Sequence, residues 1–525
     1  MNTLEFQPEA RRYYEQGYWR DGDLWGDFDA RVAEHPERVA LILDDRAVTY
    51  AELRRAALGV SSRLRDANVK PGDVVILLGR HSIEAAVAML GCLHLGVVLA
   101  PLPPMFNSSQ LSTLIEQTGA TAIVTFGGEK EIAKCRAVED EVPALLVVEP
   151  ELVDAMVAQD PPAARSPRHA DDLTMVMHSS GTTSAPKGIA HSSNTMRYAT
   201  EALCKRWELT GDDVYLVVCE FGFVGGLIFG YFPVLLNGAT GVLVNKWDAP
   251  EALRLVELHR CTYVLLMPTH AADILDAVHA TDRDLSSLRV LAAPGLTSER
   301  RMAMKEAFGV PPLADYGLSE VPGHAAHALN EPEEKMIRTE GRPYDGTVIR
   351  IVDDHGDPVP AGTVGNVIVN GPSRFLGFLH NPELTRRSLD ESGGYRTGDL
   401  GMLDEDGHFT FVGRSKDIIR RGGVTILPAE LERVLLRHPA IHDIAVVAVP
   451  DERLGERACA AIVAAEGESV PTLEQLQEFL AAEGVAKYTW PESVEAFTRF
   501  PRTPSLKVVK RTVVEQILER RAVPA

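Results

Sequence analysis

Segments typical of helices and strands alternate over residues 49–126, and this alternation limits the fold more than any other feature of the sequence. Thr49 and Glu52 form the capping-box pattern that begins a helix, which we expect to end near Asn68. Apolar runs and helical stretches then follow one another at 74–79, 82–95, 97–102, 110–119 and 121–126. Alternating strands and helices favour right-handed crossovers and a parallel sheet covered on both faces. The sequence therefore predicts an α/β fold.

The rest of the chain is divided by its pattern into further regions. Short apolar runs followed by helical stretches continue at 215–219, 241–244, 263–267 and 289–292. Turn signals between short strands predict a β-rich subdomain over about 340–415. From 416 the order helix, strand, strand, helix, strand, helix predicts a compact α+β domain. We therefore expect an N-terminal domain of parallel α/β sheets over 1–415, including the subdomain, and a small C-terminal domain over 416–525.

Composition excludes several kinds of partner. The net charge is −21, from 53 Lys+Arg against 74 Asp+Glu, which argues against binding nucleic acid or an anionic membrane. Residues 214–236 are apolar except for Glu220, but their glycines and proline favour a buried strand, loop and helix over a membrane span. Widely spaced cysteines and the absence of a recognisable signal sequence favour the cytoplasm, with the protein as a monomer or homodimer.

Residues 178–193, "HSSGTTSAPKGIAHSS", place seven hydroxyl side chains and two glycines around Lys187. A Walker-type phosphate loop needs glycine before its lysine and a hydroxyl residue after it, whereas Pro186 and Gly188 stand at those positions. Glycine, hydroxyls and a lysine still suit a loop that closes over a polyphosphate. The same residues could instead form a polar surface turn.

Four further segments follow this one in order: "DYGLSE" at 315–320, "YRTGDLG" at 395–401, "GRSKDIIRRGGVTILPAELE" at 413–432 and "PRTPSLK" at 501–507. Together with "SSGTTSAPKG" they resemble the core motifs of the adenylate-forming superfamily, which comprises acyl-CoA synthetases, nonribosomal-peptide adenylation domains and firefly luciferase. Five ordered motifs are a specific signal, and the resemblance covers nearly the whole chain. The opening "YYEQGYWRDGDLWGDF" further resembles acyl-CoA ligases of aryl and alicyclic (cyclohexanecarboxylate-like) acids.

The resemblance implies a two-step reaction with ATP, Mg²⁺ and coenzyme A. A carboxylate attacks the α-phosphate of ATP to give acyl-AMP and pyrophosphate, and a thiol then displaces AMP. The partners expected are a small carboxylic acid or its acyl-adenylate, and CoA or a carrier-protein phosphopantetheine.

The same resemblance assigns the nucleotide and the metal to particular residues. The β- and γ-phosphates would be held by the loop, Tyr316 would stack on adenine, and Asp399 would accept hydrogen bonds from both ribose hydroxyls beside Arg414. Glu320, next to Ser319, would coordinate Mg²⁺, because a hard carboxylate suits a hard cation. The nucleotide residues are Ser179, Ser180, Gly181, Thr182, Thr183, Lys187, Tyr316, Asp399 and Arg414.

Lys507 is the main catalytic candidate, with Glu320 and Ser319. An ammonium group can bridge carboxylate and α-phosphate oxygens as their charges approach. By resemblance the C-terminal domain is mobile, Asp417 is its hinge, and Gly422 and Gly423 line a thiol tunnel. The ligand site is expected between the domains.

An apolar acid pocket with room for a bulky ring is predicted around residues 219–226. Amino-acid-activating relatives place an aspartate after the aromatic residue, but Val224 follows Phe223, so an α-amino acid is not expected. Glu220 could pair with a more distant amine, lie at the rim or make a structural hydrogen bond. The pocket residues are Phe221, Phe223, Val224, Gly225, Leu227, Ala293, Pro294, Gly295 and Gly317.

Several residues depart from the family's usual motifs, namely Ser184, Ala292, Ala293, Ser319, Val424, Thr425 and Leu506. Leu506 replaces the glycine before Lys507 and disfavours a left-handed backbone by about 1–2 kcal/mol. The chain could therefore be an enzyme with weak or lost adenylation that thioesterifies a supplied acyl-AMP. It could also be a stand-alone adenylation enzyme that loads a carrier protein, a binding or scaffold protein, or a luciferase-type oxidase.

Overall fold

The computed structural model describes residues 7, 9–159, 161–162, 164–165, 168–178, 187–422, 424–503 and 508–522. The chain divides into two compact units. The first unit holds the described residues of 1–179, 185–349 and 369–395, and the second holds those of 350–368 and 396–525. The domain boundary predicted at 415/416 stays a prediction.

Strands and helices are numbered separately in chain order. The strands are β1 Val39–Leu43, β2 Arg46–Thr49, β3 Val74–Gly79, β4 Val98–Leu102, β5 Ala122–Phe126, β6 Ala144–Val147, β7 Leu173–His178, β8 Gly188–Ser192, β9 Val214–Val217, β10 Thr240–Leu243, β11 Tyr263–Leu265, β12 Val290–Ala292, β13 Pro312–Leu313, β14 Asp315–Tyr316, β15 Ala325–Ala326, β16 Arg342–Pro343, β17 Val348–Val352, β18 Gly365–Asn370, β19 Gly377–Phe378, β20 Tyr395–Leu403, β21 Phe409–Arg414, β22 Ile419–Arg421, β23 Val424–Ile426, β24 Ile441–Asp451, β25 Gly455–Ala464 and β26 Ser493–Phe497. The α-helices are α1 Ala10–Glu15, α2 Leu24–Glu34, α3 Tyr50–Asp66, α4 Ile83–Leu95, α5 Ser108–Thr118, α6 Glu129–Arg136, α7 Pro150–Val157, α8 Ser193–Arg206, α9 Val224–Gly226, α10 Phe232–Asn237, α11 Ala249–His259, α12 Pro268–Val278, α13 Ser298–Phe308, α14 Glu333–Arg338, α15 Pro382–Ser388, α16 Pro428–Leu435, α17 Leu473–Ala482 and α18 Lys510–Ala522.

Two seven-stranded sheets form the core of the first unit. The first sheet has the order β13-β12-β11-β9-β10-β1-β2 and is parallel except for the β1–β2 pair. The second has the order β19-β8-β7-β4-β3-β5-β6, with β3 to β7 paired in parallel and β8 antiparallel to both of its neighbours. The predicted fold of parallel α/β sheets is confirmed.

Local capping signals explain the helices that the sequence predicts best. Thr49 and Glu52 form both hydrogen bonds of the capping box at the start of α3. Ser82 caps α4, and Gly96 ends α4 with a φ of 79°, a left-handed conformation in which glycine is not strained. All residues of α4 are buried, as expected for a helix that is apolar on every side.

The second unit contains the four-stranded sheet β17-β18-β20-β21 and a C-terminal sheet in which β22 to β25 are joined by β26. Apolar residues of α16 and α17, such as Leu431 and Leu476, pack on one cluster of the C-terminal core. Val513 and Ile517 of α18 pack on another cluster. The helix and strand order from α16 to α18 is the one predicted, with the short β22–β23 hairpin in addition.

The apolar run over 214–236 does not form one long helix. It contains β9, a loop, α9, a π-helical turn at Leu227–Tyr231 and most of α10. Among the residues that the structure describes, no helix combines the length and hydropathy that a membrane crossing requires.

Candidate functional site

Predicted site segments in the first unit follow the carboxyl ends of parallel strands of the first sheet, in which β11 separates β9 from β12. Residues 219–226 follow β9, residues 293–295 follow β12, and residues 315–320 follow β13. In the first sheet, Ala292 of β12 pairs with Leu265 of β11 on one side and with Leu313 of β13 on the other. Parallel strands end at the same edge of a sheet, and open α/β sheets bind ligands outside that edge. We call this part of the first sheet the carboxyl edge.

Tyr316, the predicted adenine partner, is held within a small antiparallel sheet. Tyr316 is 9% exposed. The centroid of its ring lies 4.5 Å from that of the His324 ring, with an interplanar angle of 73°. Burial lowers the pKa of His324 to about 4, so that this ring is neutral at neutral pH. His324 was not predicted, although it lies only eight residues after Tyr316.

Asp315 precedes Tyr316 in the chain, and its side chain is buried. Its carboxyl group accepts a hydrogen bond of 2.7 Å from the Tyr344 hydroxyl. Burial raises the pKa of Asp315 to about 7, and the hydrogen bond from Tyr344 opposes that shift. The "D" of the motif is therefore a supporting residue whose side chain bonds within the protein.

Backbone contacts hold residues 317–320, so the main chain of Glu320, the predicted metal ligand, is fixed in position. A Cβ on Gly317 would lie 2.7 Å from the Gly323 nitrogen, so this position requires glycine. The Ser319 carbonyl oxygen lies 2.8 Å from Nε2 of His191. The Glu320 carbonyl accepts a hydrogen bond of 2.8 Å from the Phe375 amide. Ser319 and Glu320 are themselves partly exposed.

His191 is the supporting residue that sequence reasoning missed at this loop. It is fully buried, and its Nδ1 lies 3.1 Å from the Thr195 hydroxyl. Burial lowers the pKa of His191 to about 4, so the neutral ring donates from Nε2 to the Ser319 carbonyl. The only signal in the sequence is that His191 follows Lys187 by four residues.

The segment predicted as the acid gate divides into buried and exposed members. Phe221 is fully buried, edge-on to Phe126 at 5.4 Å and to Tyr231 at 5.3 Å. Leu227 is also fully buried. Phe223, Val224 and Gly225 are partly exposed.

A π-helical turn follows these residues, at Leu227–Tyr231. Such turns are frequent at functional sites in α-helices. Across the carboxyl edge, Ala293 is buried, Pro294 is partly exposed, and Gly295 is exposed with a φ of 71°. The exposed and partly exposed members of the predicted pocket therefore come from both segments, together with Gly317.

Lys187 is exposed at the start of β8, and its ammonium group lies 5.6 Å from the centroid of the Phe378 ring. This cation–π distance is within the usual range. The other predicted phosphate-loop residues, Ser179, Ser180, Gly181, Thr182 and Thr183, lie outside the described residues, as does Ser184.

In the second unit, Asp399 and Arg414 stand opposite each other on the antiparallel strands β20 and β21. Nε of Arg414 lies 3.3 Å from Oδ1 of Asp399, whose side chain is 2% exposed against 39% for the arginine. The Asp399 amide donates to the Thr397 hydroxyl at 3.0 Å, and the Ser415 hydroxyl donates to the Gly398 carbonyl at 2.9 Å. A nearly buried carboxylate is thus paired with a more exposed cation.

The predicted hinge and thiol-tunnel residues lie nearby in sequence. Asp417 ends a 3₁₀ turn at Ser415–Asp417. Gly422, with a φ of 55°, turns the chain between β22 and β23, and its amide donates to the Leu454 carbonyl at 2.8 Å. Val424 and Thr425 lie in β23. Gly423, Leu506 and Lys507 are outside the described residues.

A cavity of about 780 Å³ in the first unit contains none of the predicted site residues. Its lining includes Asp44, Arg80, Lys130, Lys246 and Glu251. This mixture of charges suits a polar ligand and not an apolar acid, so we do not assign the acid to this cavity.

Comparisons with known proteins agree with the motif pattern. The family described as AMP-binding enzyme matches residues 28–379, and the AMP-binding enzyme C-terminal domain matches residues 430–507. The medium-chain fatty-acid–CoA ligase of Escherichia coli (strain K12) is 32% identical over 535 residues, with 99% of this chain and 94% of that protein covered. The 2,3-dihydroxybenzoate-AMP ligase of Bacillus subtilis (strain 168) is 29% identical over 527 residues, with 97% and 96% covered. The crystal structure of ATP-bound MatB from Rhodopseudomonas palustris is similar with a TM-score of 0.88 at 25% identity, covering 95% of this chain and 99% of that one.

Proposed function

We propose that this chain, which belongs to the family of AMP-binding enzymes, joins a bulky, largely apolar carboxylic acid to the thiol of coenzyme A. It is an AMP-forming ligase of the acyl-CoA and aryl-acid group that acts through an acyl-adenylate. The acid class, the thiol and the roles of individual residues are proposals.

The observation that supports the acid class is the partly exposed apolar surface at the carboxyl edge. Phe223 and Val224 are accessible there, and so is Pro294, which follows β12, two strands away from β9 in the sheet. Apolar lining with few polar groups is typical of pockets for hydrophobic ligands. An alicyclic, aryl or terpenoid-like acid fits this description.

In the first step, a carboxylate oxygen forms a bond to the α-phosphorus of ATP, and the bond from that phosphorus to pyrophosphate breaks. We propose that Tyr316 stacks on adenine, Asp399 accepts hydrogen bonds from the ribose hydroxyls and Arg414 orients that carboxylate. Lys187 meets phosphate oxygens, where fixed positive charge stabilises the transition state. Lys507 neutralises charge as the two anions approach.

The chemistry of Glu320 fits Mg²⁺. A carboxylate is a hard oxygen donor, the residue is partly exposed, and its main chain is held through the contacts of Ser319 and Glu320. Bound Mg²⁺ would reduce the negative charge on the phosphate oxygens. We therefore propose Glu320 as the metal residue, with Ser319 beside it.

In the second step, the thiol sulfur forms a bond to the acyl carbon, the bond from that carbon to the AMP oxygen breaks, and the thiol proton is released. Gly422 and Gly423 are proposed to let a pantetheine arm pass close to the backbone. A carrier-protein thiol is the alternative acceptor. The name of one relative above specifies CoA, whereas the name of the other specifies AMP and no thiol.

The direct test incubates the protein with ATP, Mg²⁺, coenzyme A and a panel of alicyclic, aryl and straight-chain acids. We expect AMP, pyrophosphate and acyl-CoA in equal amounts, with ring acids preferred, as measured by mass spectrometry. Formation of acyl-AMP without a CoA thioester would favour a carrier-protein thiol as the acceptor. Turnover of short straight-chain acids alone would contradict the proposed acid class.

A second candidate function rests on Leu506, which precedes Lys507 where the family usually has glycine. A weakened first step would leave an enzyme that mainly converts a supplied acyl-AMP to its thioester. The two candidates differ in acid-dependent pyrophosphate exchange, which only the complete ligase catalyses.

A further inference from the structure

Glu220 places a buried carboxylate oxygen at the carboxyl edge. The residue lies three positions beyond the end of β9 and is partly exposed. Its Oε2 atom is buried, and no described residue donates a hydrogen bond to that atom. The main chain of Glu220 is bonded, through a hydrogen bond of 3.2 Å from the Phe223 amide to the Glu220 carbonyl.

Several other buried carboxylates of the same unit are paired. Asp23 is 2.6 Å from an Arg165 nitrogen, and Asp213 is 2.6 Å from an Arg289 nitrogen. Asp315 accepts a hydrogen bond from Tyr344. A buried oxygen with no donor loses its hydration without compensation, so the Oε2 atom of Glu220 requires an explanation. The Oε2 atoms of Glu9 and Glu299 in the same unit are also buried and accept no hydrogen bond from a described residue, but Glu9 accepts a hydrogen bond of 3.1 Å at its other oxygen, from Asn370.

The Cys219 thiol and the Tyr231 hydroxyl interact electrostatically with Glu220, and neither group is a cation. Burial first and Glu220 second raise the pKa of Cys219 to about 12. The Tyr231 hydroxyl already donates to the Ser82 carbonyl at 3.1 Å. Because no described residue donates to the Oε2 atom of Glu220, that atom is free to accept a hydrogen bond from a ligand.

The place of Glu220 suggests the source of that donor. Phe223 and Val224, three and four residues later, are accessible apolar members of the predicted acid pocket. Gly226 packs so closely that a Cβ there would lie 2.1 Å from the Glu220 carbonyl oxygen, which fixes the main chain that carries the carboxylate. A charged acceptor is thus held beside an apolar surface.

We propose that Glu220 is a specificity-determining residue that accepts a hydrogen bond from a hydroxyl or amino group on the acid substrate, remote from its reacting carboxylate. This inference rests on the proposed function. The substrate class becomes a bulky ring acid with one O–H or N–H donor. Acids without a donor bind less well, because they leave the Glu220 carboxylate desolvated and unpaired.

The test compares cyclohexanecarboxylate with its 3- and 4-hydroxy and 3- and 4-amino derivatives, measured as acid-dependent pyrophosphate release. We expect the parent protein to prefer at least one donor acid by about tenfold or more in kcat/KM. In Glu220→Leu that preference falls to within about twofold, and activity on cyclohexanecarboxylate rises. In Glu220→Gln, the amide oxygen still accepts a hydrogen bond, so the preference for a hydroxycyclohexanecarboxylate is retained. The preference for an aminocyclohexanecarboxylate, whose amino group is charged, falls because the negative charge of Glu220 is lost.

Glu306→Leu is the matched control, because Glu306 is an exposed residue of α13 and lies outside the proposed machinery. We expect its preference to equal that of the parent. A second readout is calorimetric binding of two non-reactive acyl-AMP mimics, the adenosine acylsulfamates of cyclohexanecarboxylate and of the preferred donor acid. Glu220→Leu should bind the two mimics equally, and it should do so even if its turnover is low.

An equal preference for donor acids in Glu220→Leu and the parent, or a parent that favours the acid without a donor, overturns the inference alone. Absence of pyrophosphate release with every acid, including straight-chain acids, overturns the proposed complete ligase. Equal affinity of the parent protein for the two mimics overturns the inference, whatever the turnover. The two failures are therefore distinguishable.

Discussion

The carboxyl edge of the first unit and the β20–β21 pair of the second unit gather functional candidates in different ways. At the carboxyl edge, the segments 219–226, 293–295 and 315–320 lie along one edge because parallel strands that are far apart in sequence end there. Asp399 and Arg414 meet because one antiparallel register places them opposite each other, 15 residues apart. The first arrangement depends on the whole sheet, whereas the second depends on one strand pair.

This difference indicates how substitutions should affect each region. Segments at the carboxyl edge are supported by partners distant in sequence, since His191 bonds to the Ser319 carbonyl and Phe126 packs on Phe221. The β20–β21 pair holds one nearly buried carboxylate by local contacts. We therefore expect substitutions in the second unit to affect chemistry with little loss of stability, and substitutions in the first unit to affect both.

The largest expected effect is that of Asp399→Asn. A neutral amide cannot accept two hydrogen bonds with the strength of a carboxylate, so kcat/KM for ATP should fall about 100-fold. Glu405→Gln, an exposed residue near the turn between β20 and β21, removes one charge and should leave kcat/KM unchanged. A loss of melting temperature without a change in kcat/KM would show that Asp399 has a structural role only.

Glu320→Gln is the matching change at the carboxyl edge. Weaker metal coordination should lower activity about tenfold at limiting Mg²⁺, with recovery at saturating Mg²⁺. Steady-state titration with Mg²⁺ measures this effect, with Glu306→Gln as the control. An unchanged Mg²⁺ dependence would remove Glu320 from the metal site.

Gly222→Ala tests how closely the edge is packed. An added Cβ would lie 2.0 Å from the Pro103 nitrogen, so the free energy of unfolding should fall by about 1–3 kcal/mol. At Gly225 the nearest atom to an added Cβ would be 3.7 Å away, an ordinary contact. Chemical denaturation should therefore find Gly225→Ala close to the parent, and equal losses for both variants would contradict this account.

The smallest effect concerns pH and Asp315. Its pKa of about 7 in the folded protein exceeds the ordinary value of 3.8, so the folded state keeps a proton that the unfolded state has lost. Stability contributed by this group should therefore fall as pH rises from about 4 to about 7. Asp315→Asn lacks this dependence, so its melting temperature relative to the parent should rise with pH over that window. A difference in melting temperature between Asp315→Asn and the parent that stays constant with pH would contradict the prediction.

Local signals predicted much of the fold. The capping residues Thr49 and Ser82 and the terminal Gly96 act within a few residues, so α3 and α4 could be located closely. The β22–β23 hairpin was missed because its strands have three residues each and include the charged Arg420 and Arg421. Short polar strands resemble loops until a neighbouring strand pairs with them.

The candidate site was predictable where motifs are contiguous and less so where tertiary packing decides. Tyr316 and Glu320 could be named from six adjacent residues, but His191 could not, because its contact with Ser319 spans 128 positions. The burial of Phe221 also depends on Phe126 and Tyr231, which only the fold brings together. The roles of the residues at 179–183 and of Lys507 stay predictions.

The central claim is that one chain catalyses both adenylation and thioester formation, and exchange of labelled pyrophosphate into ATP tests it most directly. With a preferred ring acid we predict rapid, acid-dependent exchange, together with thioester formation when synthetic acyl-AMP and coenzyme A are supplied. Absence of exchange with every acid, alongside rapid thioester formation from acyl-AMP, would contradict the complete ligase.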